Sequence, residues 1–362
     1  MKKILTAFRK NGFALKNHLV MAPMTRCRAI GNVPNDLMTI YYGQRTGAGL
    51  IVTEGVAPTP DGLGYARIPG IFSDTQVEGW KKIANAVHAG SSKIFMQIMH
   101  TGRIGHNDNL PDGAILVGVS DIKAAGQIYT DTAHMQDHSA PVALTTKGVK
   151  SVIEGFVTAA KNAVKAGLDG IELHGANGYL LEQFLNPNVN NRTDEYGGSI
   201  ANRTRFILEV AQQIADAIGP EKVGIRFSPY AVLGDLQAYD QDEVHETYAY
   251  LAKELNKIGI TYLHISVSAE IPQKTFDAIR SNFTNTIILC NGLTAETGEK
   301  ALNTGFADLI GFGRAFLANP DLITRIEKNA PLNDADPTTF FGLDGVGYTD
   351  YPTLEMAETQ SV

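Results

Sequence analysis

Ala166-Gly167-Leu168-Asp169-Gly170-Ile171-Glu172-Leu173-His174-Gly175 closes an amphipathic stretch on glycine, enters a short apolar run and leaves it on a polar side chain. Gly167 suits a left-handed helix C-terminus, and residues 170–173 read as a buried strand. Upstream, Val149, Val152, Ile153, Phe156, Ala160, Ala163 and Val164 recur at spacings of three and four, which gives one buried helical face. Ser151-x-x-Glu154 has the form of a capping box for that helix. The same unit repeats along the chain. Strands are expected at 19–22, 50–53, 94–99, 170–173, 223–227, 262–267, 287–290 and 309–311, and other helices are expected to stop at Gly90, Gly259 and Gly305 in the left-handed conformation. Eight βα units in one run favour a closed (β/α)8 TIM barrel over an open doubly wound sheet, as one domain over residues 1–362.

Composition agrees with an ordinary globular enzyme. The 362 residues are 44% hydrophobic and 19% charged, enough for a large core. A net charge of -7, without a long Lys/Arg cluster, argues against nucleic acid and leaves small molecules as the expected partners. Arg9, Lys10 and Asn11 break the N-terminal apolar stretch before it could serve as a signal peptide, and no run spans a membrane, so a cytoplasmic protein is expected. Cys27 and Cys290 are too few for a disulfide framework or a thiolate metal site. His134 and His138, near Asp131 and Asp137, lack a helical pattern and a further ligand, so no metal is expected.

Two stretches exceed a short βα loop: 104–146, which could fold as a hairpin lid, and 177–199. Both follow strand C-termini, where barrel active sites lie. Residues 1–17 and the tail 334–362 are expected to cap the barrel. Thr25, Gln97, His174 and Arg226 each sit at or near a strand exit. Any one of them reads equally well as a satisfied polar group, but four on different strands point to a site. Asn291-Gly292-Leu293 and Gly311-Phe312-Gly313-Arg314 follow the seventh and eighth strands, where glycine, helix-start N–H groups and an arginine could hold a phosphate.

The run His174-Gly175-Ala176-Asn177-Gly178-Tyr179-Leu180-Leu181-Glu182-Gln183-Phe184-Leu185-Asn186-Pro187, continuing to Asn191-Arg192-Thr193-Asp194-Glu195-Tyr196-Gly197-Gly198-Ser199, resembles the signature segment of the Old Yellow Enzyme family. Ala22-Pro23-Met24-Thr25-Arg26, Gly64-Tyr65, Gln97, Gly224-Ile225-Arg226-Phe227-Ser228-Pro229, Gly313-Arg314 and Gly347-Tyr348-Thr349-Asp350-Tyr351-Pro352 extend the resemblance across the chain. It implies non-covalent FMN, with its phosphate at Gly292, Gly313 and Arg314 and its ring against Pro23, Met24, Thr25, Gly55, Gln97 and Arg226. It further implies reduction of FMN by NADPH or NADH, then hydride transfer to the β-carbon of an α,β-unsaturated carbonyl or nitro compound. His174 and Asn177 would bind the substrate oxygen, Tyr179 would protonate the α-carbon, and Tyr65, Met99 and Phe341 would border the pocket. Arg192, Asp194 and Arg203 are expected to stitch the long loop to the next helix.

Three positions depart from that family. Gln97-Ile98-Met99 has a thioether where many relatives place Trp, Phe341 stands where a Tyr often ends the Thr339-Phe340 stretch, and Ala140-Pro141-Val142 replaces a Pro-Arg pair. A flavin-free barrel acting on a phosphorylated small molecule, as an isomerase or aldolase, is the alternative reading. It would need a catalytic Lys or carboxylate at a strand end, for which Glu54 and Glu172 are available if they face inward.

Overall fold

A computed structural model describes residues 2–359, so Met1 and residues 360–362, at the ends of the expected domain and tail, lie outside the described residues. Eight parallel strands close a barrel in chain order: β1 (Leu19–Met21), β2 (Leu50–Val56), β3 (Lys93–Ile98), β4 (Gly170–Gly175), β5 (Val223–Phe227), β6 (Tyr262–Ser266), β7 (Thr286–Cys290) and β8 (Leu309–Phe312), which pairs back to β1. Around and between them run α1 (Asp36–Gln44), α2 (Asp74–Ala89), α3 (Thr146–Lys165), α4 (Leu180–Leu185), α5 (Ile200–Ile218), α6 (Gln241–Ile258), α7 (Gln273–Asn282), α8 (Ala295–Asn303), α9 (Arg314–Ala318) and α10 (Leu322–Lys328). All eight expected strands are present. Strand β2 runs beyond the expected end because a register shift between Val52 and Gly55 lets it continue beside β3. Side chains accept the N–H groups there: Thr53 Oγ1 takes Gln97 N at 3.0 Å and the Tyr42 hydroxyl takes Glu54 N at 2.9 Å.

Two local expectations are corrected. Helix α3 starts at Thr146 with Thr145 as its cap, accepting from Gly148 N at 3.0 Å, so Ser151 and Glu154 lie inside the helix and form no capping box. Gly167, Gly259 and Gly305 do take positive φ (89°, 83° and 74°), but Gly90 has φ -92° and Ser91 turns left-handed instead, at 57°. Gly90 is constrained by space, since a Cβ there would meet Thr46 Oγ1 at 2.2 Å.

The barrel interior is apolar at its N-terminal end. A hairpin pairing Phe8–Lys10 with Phe13–Leu15 closes that end, and Phe8, Phe13 and Leu15 pack onto Val20, Phe95, Tyr262, Ile288 and Leu309. These inward residues alternate with outward ones that pack under the helices. The insertion after β3 folds as a hairpin, Gln127–Thr130 with His134–Asp137, and its Asp131 pairs with Arg67. Three buried arginines, Arg26, Arg28 and Arg45, hold the tail, and Arg26 Nη2 donates to the Gly347 carbonyl at 2.6 Å. Tyr348 stacks on Tyr41 at 4.0 Å, the Arg45 guanidinium lies 3.9 Å over Tyr41, and that of Arg28 lies 4.4 Å over Tyr348. Arg28 Nη2 also donates to the Thr339 and Val346 carbonyls at 3.0 Å.

Removing the aromatic plug should destabilise the barrel from below. Phe13→Ala is expected to cost about 3 kcal/mol in urea unfolding; a loss under about 0.5 kcal/mol would show that the hairpin does not support the barrel.

Candidate active site

Strand register builds the site. Along β4, β5 and β6, His174 pairs with Arg226 and Arg226 with His264, while Gln97 of β3 stands beside Glu172 of β4. Neighbours in register on parallel strands share a face, so these side chains form one polar layer above the apolar plug. Glu172, fully buried, accepts from Gln97 Nε2 at 2.8 Å and lies 2.8 Å from His264 Nδ1. Arg226 Nη2 donates to Cys290 Sγ at 3.4 Å. For the alternative reading, the candidate carboxylates were Glu54 and Glu172. Glu172 faces inward, but it is taken by His264 and Gln97; Glu54 faces α1, where the Tyr42 hydroxyl donates to it at 3.3 Å.

Beyond β4 the chain makes two consecutive left-handed residues, Asn177 (φ 61°) and Gly178 (φ 82°), before Tyr179 starts α4. Glycine is required at 178 because a Cβ would meet the Leu233 carbonyl at 2.3 Å. The turn brings the Tyr179 ring edge-on to His174, centroids 4.9 Å apart, and its hydroxyl to 3.0 Å from that of Tyr65. Met99 is buried behind this pair with Cys27, Ala57, Leu63 and Ile68, and its thioether fills the space a Cβ on Gly55 would need. Phe341 is 60% exposed on the tail. Pro23, Met24 and Thr25 are partly exposed just past β1. Arg203 does stitch the following helix α5 to the end of α4, its Nε donating to the Leu185 carbonyl at 2.8 Å, whereas Arg192 and Asp194 pair within the long loop and Asp194 accepts from Thr146 of the preceding helix α3 at 2.7 Å.

Several groups at this mouth lack protein partners among the described residues: His174 Nδ1, Arg226 Nε and His264 Nε2 are buried without hydrogen bonds. A Cβ on Gly292 would meet nothing within 4 Å, and on Gly313 only Met24, at 3.5 Å. Orphaned donors beside open glycine backbone suit a polar, phosphate-bearing ring compound such as FMN. Electrostatics sort the titratable groups. Burial, with the charges of Arg226 and His264, holds His174 well below its ordinary range, so it is neutral at pH 7. Burial and Tyr65 push the Tyr179 phenol well above its own. Burial opposes a charged His264, yet Cys290 and Glu172 raise it to about 9. Glu172 is held low against burial, chiefly by His264. His264 was missed in the sequence; a single His inside the apolar run 262–267 was its only signal.

Residues 8–333 match the model of the NADH:flavin oxidoreductase / NADH oxidase family. The chain is 41% identical over 368 residues to 12-oxophytodienoate reductase 1 of Oryza sativa subsp. japonica, covering 99% of this chain and 95% of that protein. It is 38% identical to 12-oxophytodienoate reductase 7 of the same plant, covering 96% and 94%. Among solved structures, morphinone reductase superposes with a TM-score of 0.93 at 39% identity over 98% of this chain and 97% of that one. A structure of morphinone reductase in complex with tetrahydroNAD matches with the same TM-score at 41% identity, over 97% of each chain.

The pair at the centre of the polar layer should set a pH window of stability. His264 is raised from 6.5 to about 9, so its contribution is complete below pH 6.5 and is lost as pH rises through about 9. His264→Gln is therefore expected to lower unfolding stability by about 3 kcal/mol near pH 6, with the gap to wild type closing toward about pH 10. A gap that stays constant with pH would show that His264 is not held charged.

Proposed function

The chain belongs to the Old Yellow Enzyme family of NADH:flavin oxidoreductases, and from that premise we propose how its own residues serve the reaction. It is an FMN-dependent ene-reductase drawing electrons from NAD(P)H. FMN, when bound, supplies the hydride. Gly292, Gly313 and Arg314 would hold its phosphate; Pro23, Met24, Thr25, Gly55, Gln97 and Arg226 would surround its ring. Arg226, with an unpartnered Nε, would keep positive charge at the mouth, where negative charge develops on reduction.

His174 and Asn177 would donate to the carbonyl or nitro oxygen of an activated alkene and draw electron density from the double bond. The neutral state of His174 fits this, because an uncharged imidazole binds an enone oxygen without burying a third cation beside Arg226 and His264. Tyr179 would hand its phenolic proton to the α-carbon, and its raised pKa keeps that proton in place until the carbanion calls for it. Tyr65, 3.0 Å away and partly exposed, would relay the replacement from solvent. The observation that carries this reading is the edge-on approach of Tyr179 to His174 at 4.9 Å, beside Asn177, at the open end of the polar layer. Tyr65, Met99 and Phe341 would border the substrate, with the exposed Phe341 at the rim. Substrates would be small enones or nitroalkenes, nitrate esters being a further class to assay. A net charge of -7 supports the absence of a nucleic-acid partner. No described helix is long and apolar enough to cross a membrane, which supports our placing the protein in the cytoplasm.

An anaerobic titration tests this. NADPH should bleach the yellow flavin band of the purified protein, and 2-cyclohexenone should restore it; a band that bleaches but is not restored would remove the enone reading. Arg226→Ala is expected to weaken FMN binding about thirtyfold, as loss of charge-assisted hydrogen bonds predicts. Full FMN occupancy after dialysis, at wild-type affinity, would take Arg226 out of the flavin site.

A further inference from the structure

Directly behind the loop that carries Asn177 and Tyr179 lies a carboxyl group with no part in the chemistry above. Glu182, in the first turn of α4, is 4% exposed. Its Oε2 accepts from Gly178 N at 2.7 Å, and its Oε1 accepts from the Ser228 hydroxyl at 2.8 Å and the Tyr248 hydroxyl at 3.2 Å. Ser228 Oγ in turn accepts from Asn177 N at 2.9 Å. The two N–H groups of the left-handed pair therefore end, directly or through one hydroxyl, on a single carboxyl group. Asn adopts φ 61° more readily than most side chains, and here the bond from its N–H to Ser228 holds it there.

We propose that Glu182 is the positioning residue of the substrate-oxygen clamp: through Gly178 N and through Ser228 it fixes the left-handed turn that presents Asn177 to the substrate. This inference rests on Asn177 being a substrate ligand, as read above. Glu182 ties three elements together at that point, namely the loop after β4, the loop after β5 that carries Ser228, and α6 with Tyr248.

Among the described residues, no cation offsets it. The groups set against Glu182 are Ser228, Tyr248 of α6 and Tyr239 just ahead of α6, while Arg203 of α5 turns instead to Glu243. Burial pushes its carboxyl up to about 7, opposed by Gly178, Ser228 and Tyr248. Glu182 also lines a cavity of about 440 Å³ together with Tyr230, Tyr239 and Tyr248, which gives protons access without unfolding. As a carboxylate it accepts all three donors. Protonated, it is a poorer acceptor: a proton on Oε2 competes with Gly178 N–H, and one on Oε1 reverses a bond to a hydroxyl. The clamp is thus complete above its titration and loosened below it.

The test is steady-state kinetics with 2-cyclohexenone on the FMN-loaded enzyme. In wild type, KM for the enone should fall as pH rises through about 7. Glu182→Gln keeps the shape but offers one accepting oxygen, so KM at about pH 8 should rise about tenfold and lose its pH dependence, with FMN content and visible spectrum unchanged. The sign for stability is opposite. A carboxyl raised in the fold costs stability as pH climbs from 4.5 to about 7, so Glu182→Gln should not lower Tm at about pH 8, whereas a merely structural role would lower it. Ser228→Ala, which cuts only the Asn177 arm, should also raise KM. Wild-type KM and pH profile in both variants would overturn the proposal. Asn177→Ala in the same assay separates the causes: if it raises KM while the other two do not, only the role of Glu182 fails; if it leaves KM unchanged, the clamp reading fails and the proposal with it.

Discussion

His264 and Glu172 meet at 2.8 Å inside a closed ring of strands, and the mouth of the barrel is arranged around that contact. Two fully buried charges are expensive to desolvate, and a well-packed apolar pair of similar volume would often be at least as stable. What the pair supplies is placement of charge. Glu172 neutralises one cation, and Gln97 fixes its other oxygen. Arg226, next in register between β4 and β6, is left with excess positive charge and an unpartnered Nε at the open end. Burial keeps His174 neutral, that charge adds to the effect, and it sits where reduction would add negative charge.

The rest of the barrel makes such a layer affordable. Below it, Phe8, Phe13, Phe95 and Tyr262 fill the interior and exclude water, so the polar groups sit on a rigid floor. Above it, the side chains proposed to react come from strand ends and loops, held by contacts outside the proposed chemistry. Asn177 and Gly178 are backed by Glu182 and Ser228, and the tail near Phe341 is gripped by Arg28 and Arg45 through Tyr348 and Tyr41. Scaffold and rim are thus different parts of the chain, as in barrel enzymes generally.

The barrel was legible in the sequence because parallel strands buried on both faces read as short apolar runs, several of them set off by a helical face and a glycine. Element ends were less so. The start of α3 was misplaced at Ser151 because Thr145 gives no apolar signal, and the left-handed residue after α2 proved to be Ser91, beyond a glycine kept for space. The motif around His174, Asn177 and Tyr179 could be read as a unit because its members are close in sequence. Its supports could not, since Ser228 reaches Glu182 across 46 positions and His264 reaches Glu172 across 92. Register alone brings those pairs together, and register is a property of the closed sheet.

The division of labour proposed for the mouth has Tyr179 act only when the alkene is reduced, and Arg226 and the polar layer in both halves of the cycle. Rapid mixing of Tyr179→Phe tests this most directly, with flavin absorbance followed first with NADPH and then, on the pre-reduced enzyme, with 2-cyclohexenone. Flavin reduction at close to the wild-type rate, with reoxidation by the enone slowed at least about a hundredfold, is the result the account predicts from loss of a general acid. Reoxidation at the wild-type rate would contradict it, and would place the source of the α-proton elsewhere in the pocket.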